Sequence, residues 1–421
     1  MSSRISRFRD FKCAKCGKTY DLDTVPCNDG CGGRIDITLD IEGLKEVISW
    51  KVIEKRSGGV RRFIDLMPLR SAKSHVYLGE GDTPLIKSRR LAELMSLNRL
   101  FLKNETLNPT GSFKDRPVSV GVSRAVEDGA RCVVAASSGN AAAAMSAYAA
   151  SAGLKAVVLV PEAAPRAKLV HLKTLGADVF RVRSSGEGVD PTTDLLEQAC
   201  NRFGWTPVPS FGPFNCFQFE GTKTLGYEVA CEMRLDPPDW ILFPTGSGGL
   251  MAGTMKGLLE FRDMGLIDDV PRPVVVQPEG CAPIVRAARR EGHSETIERW
   301  GEPMTVAGGL ADPYPWDWDA AIKYLKATGG TAVAVKDEMI EQYVTRLAKT
   351  EGIFAEPSGV AALPGLEMLL GDGVIDATDT VLVPITGSGF KDLETAARLA
   401  GEVPVIPPDV NQLAAQLNSR P

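Results

Sequence analysis

The fold of this chain is decided by the stretch Asn108-Pro109-Thr110-Gly111-Ser112-Phe113-Lys114-Asp115-Arg116. Its first four residues are typical of a turn, and the residues from about Phe113 onward predict a helix. A lysine at the start of a helix lies at the positive end of the helix dipole, which lowers its pKa and favours the neutral amine. A neutral amine is what a lysine needs to form a Schiff base. Taken alone, however, a lysine such as Lys114 is more often a solvated surface residue.

A second segment, Ser137-Ser138-Gly139-Asn140, lies between a predicted strand and an alanine-rich helix. Small residues at this position let a ligand approach the backbone closely, and the N-terminus of the helix offers free N–H groups to a carboxylate. A helix N-cap alone would need only one serine or asparagine. The four residues together therefore favour a carboxylate-binding loop over a simple cap.

A glycine-rich loop, Thr245-Gly246-Ser247-Gly248-Gly249-Leu250, separates the apolar run Trp240–Pro244 from a predicted helix over Met251–Phe261. Strand, glycine loop and helix form the arrangement that binds a phosphate. The loop lacks the Gly-Lys-Ser/Thr of a Walker A motif, and Met251 occupies the third glycine position of a dinucleotide-binding motif. The spacing thus fits a single phosphate better than a dinucleotide.

The body of the chain, from about residue 78 to 404, has the pattern of an α/β fold. Helical stretches alternate with short apolar runs, which are Arg131–Ala136, Ala156–Val160, Val179–Val182, Trp240–Pro244, Pro273–Gln277 and Thr380–Pro384. Nearly continuous apolar runs indicate parallel strands covered on both faces. The last run opens into Thr386-Gly387-Ser388-Gly389, where a hydroxyl could meet a ring nitrogen or simply form part of a turn. In a doubly wound fold, such motifs meet in a crevice at the carboxyl edge of the sheet.

Residues 1–45 form a separate module with two cysteine pairs, Cys13-x2-Cys16 and Cys27-x3-Cys31. Glycines beside each pair let the backbone curl around an ion. Two such knuckles predict a structural zinc held by four thiolates, although the second pair has one residue more than the usual spacing. The alternative is a small ribbon of four reduced thiols without a metal.

Composition excludes several classes of function. Lys+Arg number 48 and Asp+Glu 53 among 421 residues, a net charge of −5. A mildly acidic chain without a long basic run is a poor candidate for binding nucleic acid or an anionic membrane. We find no signal peptide and no apolar stretch long enough to span a bilayer, and therefore expect a cytoplasmic protein. Its few histidines are far apart, which disfavours triad hydrolysis and histidine-ligated metal catalysis.

The order of these motifs resembles the threonine synthase family, in the fold-type II group of pyridoxal 5′-phosphate (PLP) enzymes. Besides the segments above, the matching motifs are Gly79-Glu80-Gly81-Asp82-Thr83-Pro84-Leu85, Glu220-Gly221-Thr222-Lys223-Thr224 and Glu356-Pro357-Ser358-Gly359. The resemblance covers about residues 75–400. It implies a tryptophan synthase β-like fold with two doubly wound parallel-sheet domains, an amino-acid substrate and a homodimer.

The expected domain division follows from the resemblance and the ribbon. The zinc-ribbon-like module spans 1–45, and a large PLP-binding domain is formed from 46–115 and 221–405. A small α/β domain is inserted over 116–220, and a tail spans 406–421.

The resemblance also implies a role for each motif. Lys114 would form the Schiff base with PLP and shuttle the proton, and Asn140 would bind the ring hydroxyl. The cofactor phosphate would be held by the backbone of Gly246, Ser247, Gly248, Gly249 and Leu250. Thr386 would face the pyridine nitrogen as a neutral partner, which makes the ring a weaker electron sink than an aspartate would. The substrate carboxylate would be bound by Ser137, Ser138 and Gly139.

The family reaction converts O-phospho-L-homoserine and water to L-threonine and phosphate, and here the chain departs from the family pattern. At positions where many threonine synthases have polar or charged residues for the substrate phosphate, it has Gly212, Pro213, Gln218 and Ala141. Lost bidentate contacts to a phosphate cost several kcal/mol. The candidate replacements are Arg116, Arg166, Lys168 and Lys223. Residues of this kind more often have a surface or ion-pairing role.

Two alternatives therefore stand beside the threonine synthase reaction. The first is a PLP-dependent dehydratase or ammonia-lyase acting by β-elimination on an unphosphorylated amino acid. The missing phosphate contacts and the Gly-Ser-Gly-Gly-Leu form of the loop, which is usual in dehydratases, favour it. The second is a non-catalytic homologue, which the retained Lys114 disfavours.

Overall fold

A computed structural model describes residues 7–56, 58–183, 191–290 and 296–418, apart from the side chains of residues 167, 168 and 418. In chain order, the strands are β1 Phe8–Cys13, β2 Thr19–Tyr20, β3 Ile35–Leu39, β4 Leu85–Lys87, β5 Arg99–Asn104, β6 Cys132–Ala136, β7 Lys155–Pro161, β8 Asp178–Val182, β9 Thr206–Pro207, β10 Trp240–Pro244, β11 Arg272–Pro278, β12 Thr331–Val335 and β13 Thr380–Ile385.

The helices are α1 Ile41–Lys45, α2 Trp50–Glu54, α3 Arg90–Leu94, α4 Asp115–Glu127, α5 Asn140–Ala152, α6 Arg166–Thr174, α7 Pro191–Phe203, α8 Cys216–Glu232, α9 Gly249–Asp263, α10 Pro283–Ala288, α11 Trp318–Thr328, α12 Asp337–Glu351, α13 Pro357–Val360, α14 Ala362–Gly371, α15 Leu393–Ala400 and α16 Val410–Asn418. Short 3-10 helices cover Gly59–Leu66, Ala72–Ser74, Glu105–Leu107, Glu279–Cys281, Gly308–Leu310 and Gly389–Lys391.

The strands form three sheets. A large sheet has the order β12-β11-β10-β13-β5-β4 and is parallel except for β4, which runs antiparallel to β5. A smaller sheet of order β8-β7-β6-β9 is parallel throughout. The N-terminal ribbon is an antiparallel sheet of order β2-β1-β3. Parallel sheets connected by helices confirm the predicted α/β fold.

The apolar runs in the sequence become strands because both faces of the sheets are covered. Each of the six predicted strands is present, with ends that differ by at most one residue. Along β10, Ile241 and Phe243 pack into one hydrophobic core, whereas Trp240 and Leu242 pack into another. Successive side chains of a strand point to opposite faces, so each face of the large sheet has its own core.

The ribbon is fastened to the large sheet's helices by polar contacts. Lys256 of α9 donates to the carbonyl of Ile37 in β3 at 2.6 Å. Arg34, directly before β3, donates to both carboxylate oxygens of Asp319 in α11 at 2.8 and 3.2 Å. The ribbon is thus joined to both α9 and α11.

The end of the chain is exposed. Residues 401–415 and 417 of the C-terminal segment are exposed, and its apolar side chains include Val403, Val405 and Val410. In the part of the chain that the structure describes, no helix has both the length and the hydropathy to cross a bilayer.

Candidate active site

The loops at the carboxyl ends of β6, β10 and β13 meet the start of α4 around one cavity of about 330 Å³. This cavity is lined by the residues that the sequence predicts for the cofactor and the substrate, namely Lys114, Ser137, Ser138, Gly139, Asn140, Gly246, Ser247, Gly248, Gly249, Leu250 and Thr386. The structure therefore brings together residues spread over more than half of the chain.

Lys114 is placed by a loop that is hydrogen-bonded to the end of β13. The N–H of Phe113 donates to the carbonyl of Thr386 at 3.0 Å, and the N–H of Ser388 donates to the carbonyl of Gly111 at 2.9 Å. Lys114 itself is the N-cap of α4, and its amine donates to the hydroxyl of Ser210 at 2.9 Å. The turn and helix predicted from the sequence thus direct the amine into the cavity.

Burial lowers the pKa of Lys114 to about 8, because the charged form of the amine is removed from water. The carboxylates of Asp317 and Asp312 act in the opposite direction by stabilising the ammonium. Desolvation is therefore the main cause of the lowered pKa, whereas the position of Lys114 in the sequence pointed to the helix dipole. The result is an amine with a substantial neutral fraction near neutral pH, as Schiff-base formation requires.

Ser210 was not predicted from the sequence. It has a left-handed backbone conformation with φ of 70°, and its N–H donates to the side-chain oxygen of Gln218 at 2.9 Å. Gln218 stands where many threonine synthases have arginine. In this chain it positions the backbone of Ser210, which in turn contacts Lys114.

The glycine-rich loop has the shape of a phosphate site. Gly248 has φ of 99°, helix α9 starts at Gly249 without a cap from the side chain of its N-cap residue, and Gly248, Gly249 and Leu250 line the cavity. A Cβ at position 246 would lie 3.1 Å from the carbonyl oxygen of Gly309. Bare backbone and a helix N-terminus suit the phosphate of PLP.

Asn140 and Thr386 also line the cavity. The amide of Asn140 donates to Glu356 at 2.7 Å, and the N–H of Glu356 donates to the carbonyl of Gly387 at 3.0 Å. Thr386 is buried at the cavity wall. Glu356 lies in a motif noted in the sequence, but only the structure shows that it orients Asn140.

Asp317 is a second residue that sequence reasoning missed. It is 1% exposed, lines the cavity, and accepts the N–H of Gly212 at 3.0 Å. Burial raises its pKa to about 7, although the charge of Arg34 opposes this. The aspartate thus has a titratable carboxyl group next to Lys114.

This arrangement explains the glycine at position 212. A Cβ there would lie 2.4 Å from the carboxylate of Asp317 and 2.6 Å from Cδ of Arg34. The space that a phosphate-binding side chain would need at position 212 is therefore occupied by the side chains of Asp317 and Arg34. Ala141 and Gln218 also line the cavity, whereas Pro213 faces another cavity beside the ribbon.

Of the four proposed replacement cations, the three whose side chains the structure describes do not line the cavity. Arg116 is buried between Glu105 and Glu228, with contacts of 2.7 Å to each. Lys223 is buried in ion pairs with Glu220 and Glu260. Arg166 is exposed, and the side chain of Lys168 lies outside the described part of the structure. Among the described residues that line the cavity, Lys114 is the only basic one.

The predicted four-thiolate set is not reproduced in the ribbon. Cys13, Cys16 and Cys31 lie together with Asp29, whereas Cys27 is not part of this group. Cys27 is instead directed towards the hydrophobic core, against which it packs. Asp29, two residues after Cys27 in the same loop, lies with the other three cysteines instead.

Comparisons with known proteins agree with this site. The family model for pyridoxal-phosphate-dependent enzymes matches residues 76–387. The threonine synthase of Methanocaldococcus jannaschii is 36% identical over 403 residues, covering 96% of this chain and 98% of that protein. The threonine synthase of Methanosarcina acetivorans is 34% identical and covers 96% of this chain and 97% of its own length.

Solved structures share the fold at lower identity. Threonine deaminase isoform 2 from Solanum lycopersicum has a TM-score of 0.63 and 22% identity, covering 76% of this chain and 83% of its own. Diaminopropionate ammonia lyase from Escherichia coli has a TM-score of 0.64 and 19% identity, covering 77% and 88%. By sequence over nearly its whole length, this chain belongs to the threonine synthase family of pyridoxal-phosphate-dependent enzymes.

Proposed function

We propose that this protein converts O-phospho-L-homoserine and water to L-threonine and phosphate, as a PLP-dependent carbon–oxygen lyase. The observation that carries the proposal is 36% identity to a threonine synthase over 96% of the chain. The gathering of the motif residues around one cavity supports it.

Residues of the cavity divide between the cofactor and the substrate. The loop Gly246–Leu250 and the start of α9 would bind the PLP phosphate, Asn140 the ring hydroxyl, and Thr386 the pyridine nitrogen. Bound PLP supplies an electron sink for negative charge that develops at the substrate Cα. Ser137, Ser138 and Gly139, at the N-terminus of α5, would bind the substrate carboxylate through hydroxyl and N–H groups.

Lys114 is the group that would hold and move the proton. Its amine can accept a proton from Cα when it is neutral, and its pKa of about 8 makes both protonation states accessible near neutral pH. Ser210 keeps the amine in place through its hydroxyl at 2.9 Å. The carboxyl of Asp317, with its pKa raised to about 7, adds a second group that can exchange a proton in the same cavity.

A second candidate function is β-elimination from an unphosphorylated hydroxy amino acid, which yields ammonia and a 2-oxo acid. The charge of the cavity favours it. Apart from Lys114, the ionisable side chains among the described lining residues are the acidic Asp312, Asp317 and Glu356. Among the described lining residues, a substrate phosphate would meet no arginine and no lysine besides Lys114, whereas a neutral hydroxyl would not require one.

The products formed from each substrate distinguish the two functions. PLP-loaded protein is given O-phospho-L-homoserine in one set of reactions, and L-threonine or L-serine in another, with phosphate and ammonia measured in each. We expect phosphate from the first set and at most traces of ammonia from the second. Rapid ammonia release without phosphate release would instead identify the protein as a dehydratase.

Other parts of the proposal concern the protein as a whole. We propose a cytoplasmic enzyme whose ribbon holds a structural zinc. The homodimer is supported by the exposed apolar side chains of residues 401–418, which a second chain could cover. The strands of the large sheet come from residues 85–104 and 240–385, and those of the smaller parallel sheet come from residues 132–207. This arrangement supports the proposed division into a large and a small domain.

A further inference from the structure

The ribbon brings four ligand-bearing side chains to one point. The sulfur atoms of Cys13, Cys16 and Cys31 and a carboxylate oxygen of Asp29 all lie within 4.8 Å of one another. We propose that these four residues form a zinc site of three thiolates and one carboxylate, from which Cys27 is excluded. The site lies outside the cofactor cavity, so its test does not depend on the enzyme's reaction.

The known distances between the ligand atoms are close to those of a tetrahedral centre. Zinc bonds of about 2.0–2.3 Å place neighbouring ligand atoms roughly 3.3–3.8 Å apart. Sγ of Cys13 and Sγ of Cys31 are 3.5 Å apart. Asp29 Oδ2 is 2.9 Å from Sγ of Cys16 and 3.1 Å from Sγ of Cys31. To admit an ion, Asp29 Oδ2 would need to move away from the two sulfur atoms by about half an ångström.

The backbone around Cys13 is arranged for a thiolate. The N–H groups of Lys15 and Cys16 point at its sulfur from 3.4 and 3.5 Å. Gly33 leaves room for the same sulfur, because a Cβ at that position would lie 2.7 Å from it. The amine of Lys15 donates to the carbonyl of Cys31 at 2.8 Å, which places a positive charge beside an anionic centre. These groups stabilise charge on the ligands from outside the set.

Cys27 has a different environment. Its carbonyl accepts the N–H of Cys216 at 2.9 Å, and its side chain packs against the large hydrophobic core. Moving its sulfur to the other cysteines would break this packing. Cys27 is therefore a packing residue, and Asp29 supplies the fourth ligand from the turn between Cys27 and Cys31.

The test compares the two candidate fourth ligands in the full-length protein. Untagged protein is purified under reducing conditions without chelators, and the zinc content is measured by mass spectrometry. We expect about one zinc per chain in the wild type and in Cys27→Ser. In Asp29→Ala and Cys16→Ser, the affinity should fall on the order of tenfold or more, measured by competition with a coloured chelator.

Cobalt substitution counts the thiolates directly. Co²⁺ added to the metal-free protein should give a sulfur-to-metal charge-transfer band that Cys27→Ser leaves unchanged and Cys16→Ser weakens. Asp29→Cys should strengthen the band by adding a fourth thiolate, which also shows that the ribbon of that variant folds. Loss of the band in Cys27→Ser, an unchanged band in Asp29→Cys, or no metal bound by the reduced wild type would each overturn the proposal.

Discussion

The hydroxyl of Ser210 lies 2.9 Å from the amine of Lys114, and Ser210 is held in a left-handed conformation with φ of 70°. A serine costs more than glycine in that conformation. The strained position therefore presents a hydroxyl where glycine would be the easier choice, which indicates that the hydroxyl itself is used.

Replacement of Ser210 separates the hydroxyl from the backbone. Ser210→Ala should lower kcat/KM about ten- to a hundredfold, since a hydrogen bond to a charged group contributes about 1.5–3 kcal/mol. Ser210→Gly should lose the same activity while gaining roughly 1 kcal/mol of stability from relieved strain. Kinetics and urea unfolding measure the two effects. Full activity in Ser210→Gly would show that the hydroxyl has no role.

The pKa of Lys114 predicts how the protein recombines with its cofactor. Because burial lowers this pKa to about 8, the neutral amine accumulates as the pH rises through 8. The rate at which PLP-free protein binds added PLP covalently should rise about tenfold per pH unit below 8 and level off above it. Asp312→Asn should move the midpoint to lower pH, because Asp312 stabilises the charged amine. A midpoint near that of free lysine would contradict the assignment.

Arg34 connects the ribbon to the cavity through Asp317. Nη1 of Arg34 lies 3.8 Å from Oδ1 of Asp317, and the two side chains are 3% and 1% exposed. Arg34→Ala leaves Asp317 buried without its cation, so we expect a loss of about 3–5 kcal/mol in the free energy of unfolding. Arg9→Ala, at a side chain that is 76% exposed, should change it by less than about 0.5 kcal/mol. Equal effects in urea unfolding would refute a special role for Arg34.

Placing a polar side chain at position 212 should harm the protein. Gly212→Asn introduces a Cβ that would lie 2.4 Å from Asp317 and 2.6 Å from Arg34, both held in place by their ion pair. We expect a destabilisation of about 1–3 kcal/mol and a lower kcat/KM for O-phospho-L-homoserine. Ala141→Thr, at a cavity-lining position in the first turn of α5, is the control. An improved KM in Gly212→Asn would show that the site has room for the missing contact.

Much of the fold follows from local sequence, because strands buried on both faces leave continuous apolar runs. Strand β5 escaped detection because Arg99 and Lys103 interrupt its apolar pattern. Lys103 is buried nonetheless, since Glu228 and Glu232 of α8 neutralise it at 3.1 and 2.8 Å. That pairing joins residues more than 120 positions apart, and no local pattern reveals it.

The candidate site likewise contains residues that the sequence predicts and residues that only the structure identifies. Residues in motifs, such as Lys114 and Asn140, are found from sequence because turn, strand end and helix start are local features. Ser210, Asp317 and the orienting role of Glu356 depend on contacts between distant segments. The same limit applies in the ribbon, because spacing alone cannot show that Cys27 packs against the hydrophobic core while Asp29 lies with the other three cysteines.

The fate of the oxygen atom of water tests the proposed lyase reaction most directly. PLP-loaded protein is incubated with O-phospho-L-homoserine in water labelled with heavy oxygen, and both products are analysed by mass spectrometry. A carbon–oxygen lyase breaks the bond between Cγ and oxygen and adds water at Cβ, so we predict one labelled atom in the threonine hydroxyl and unlabelled phosphate in equal amount. Labelled phosphate, or the absence of threonine, would contradict the account.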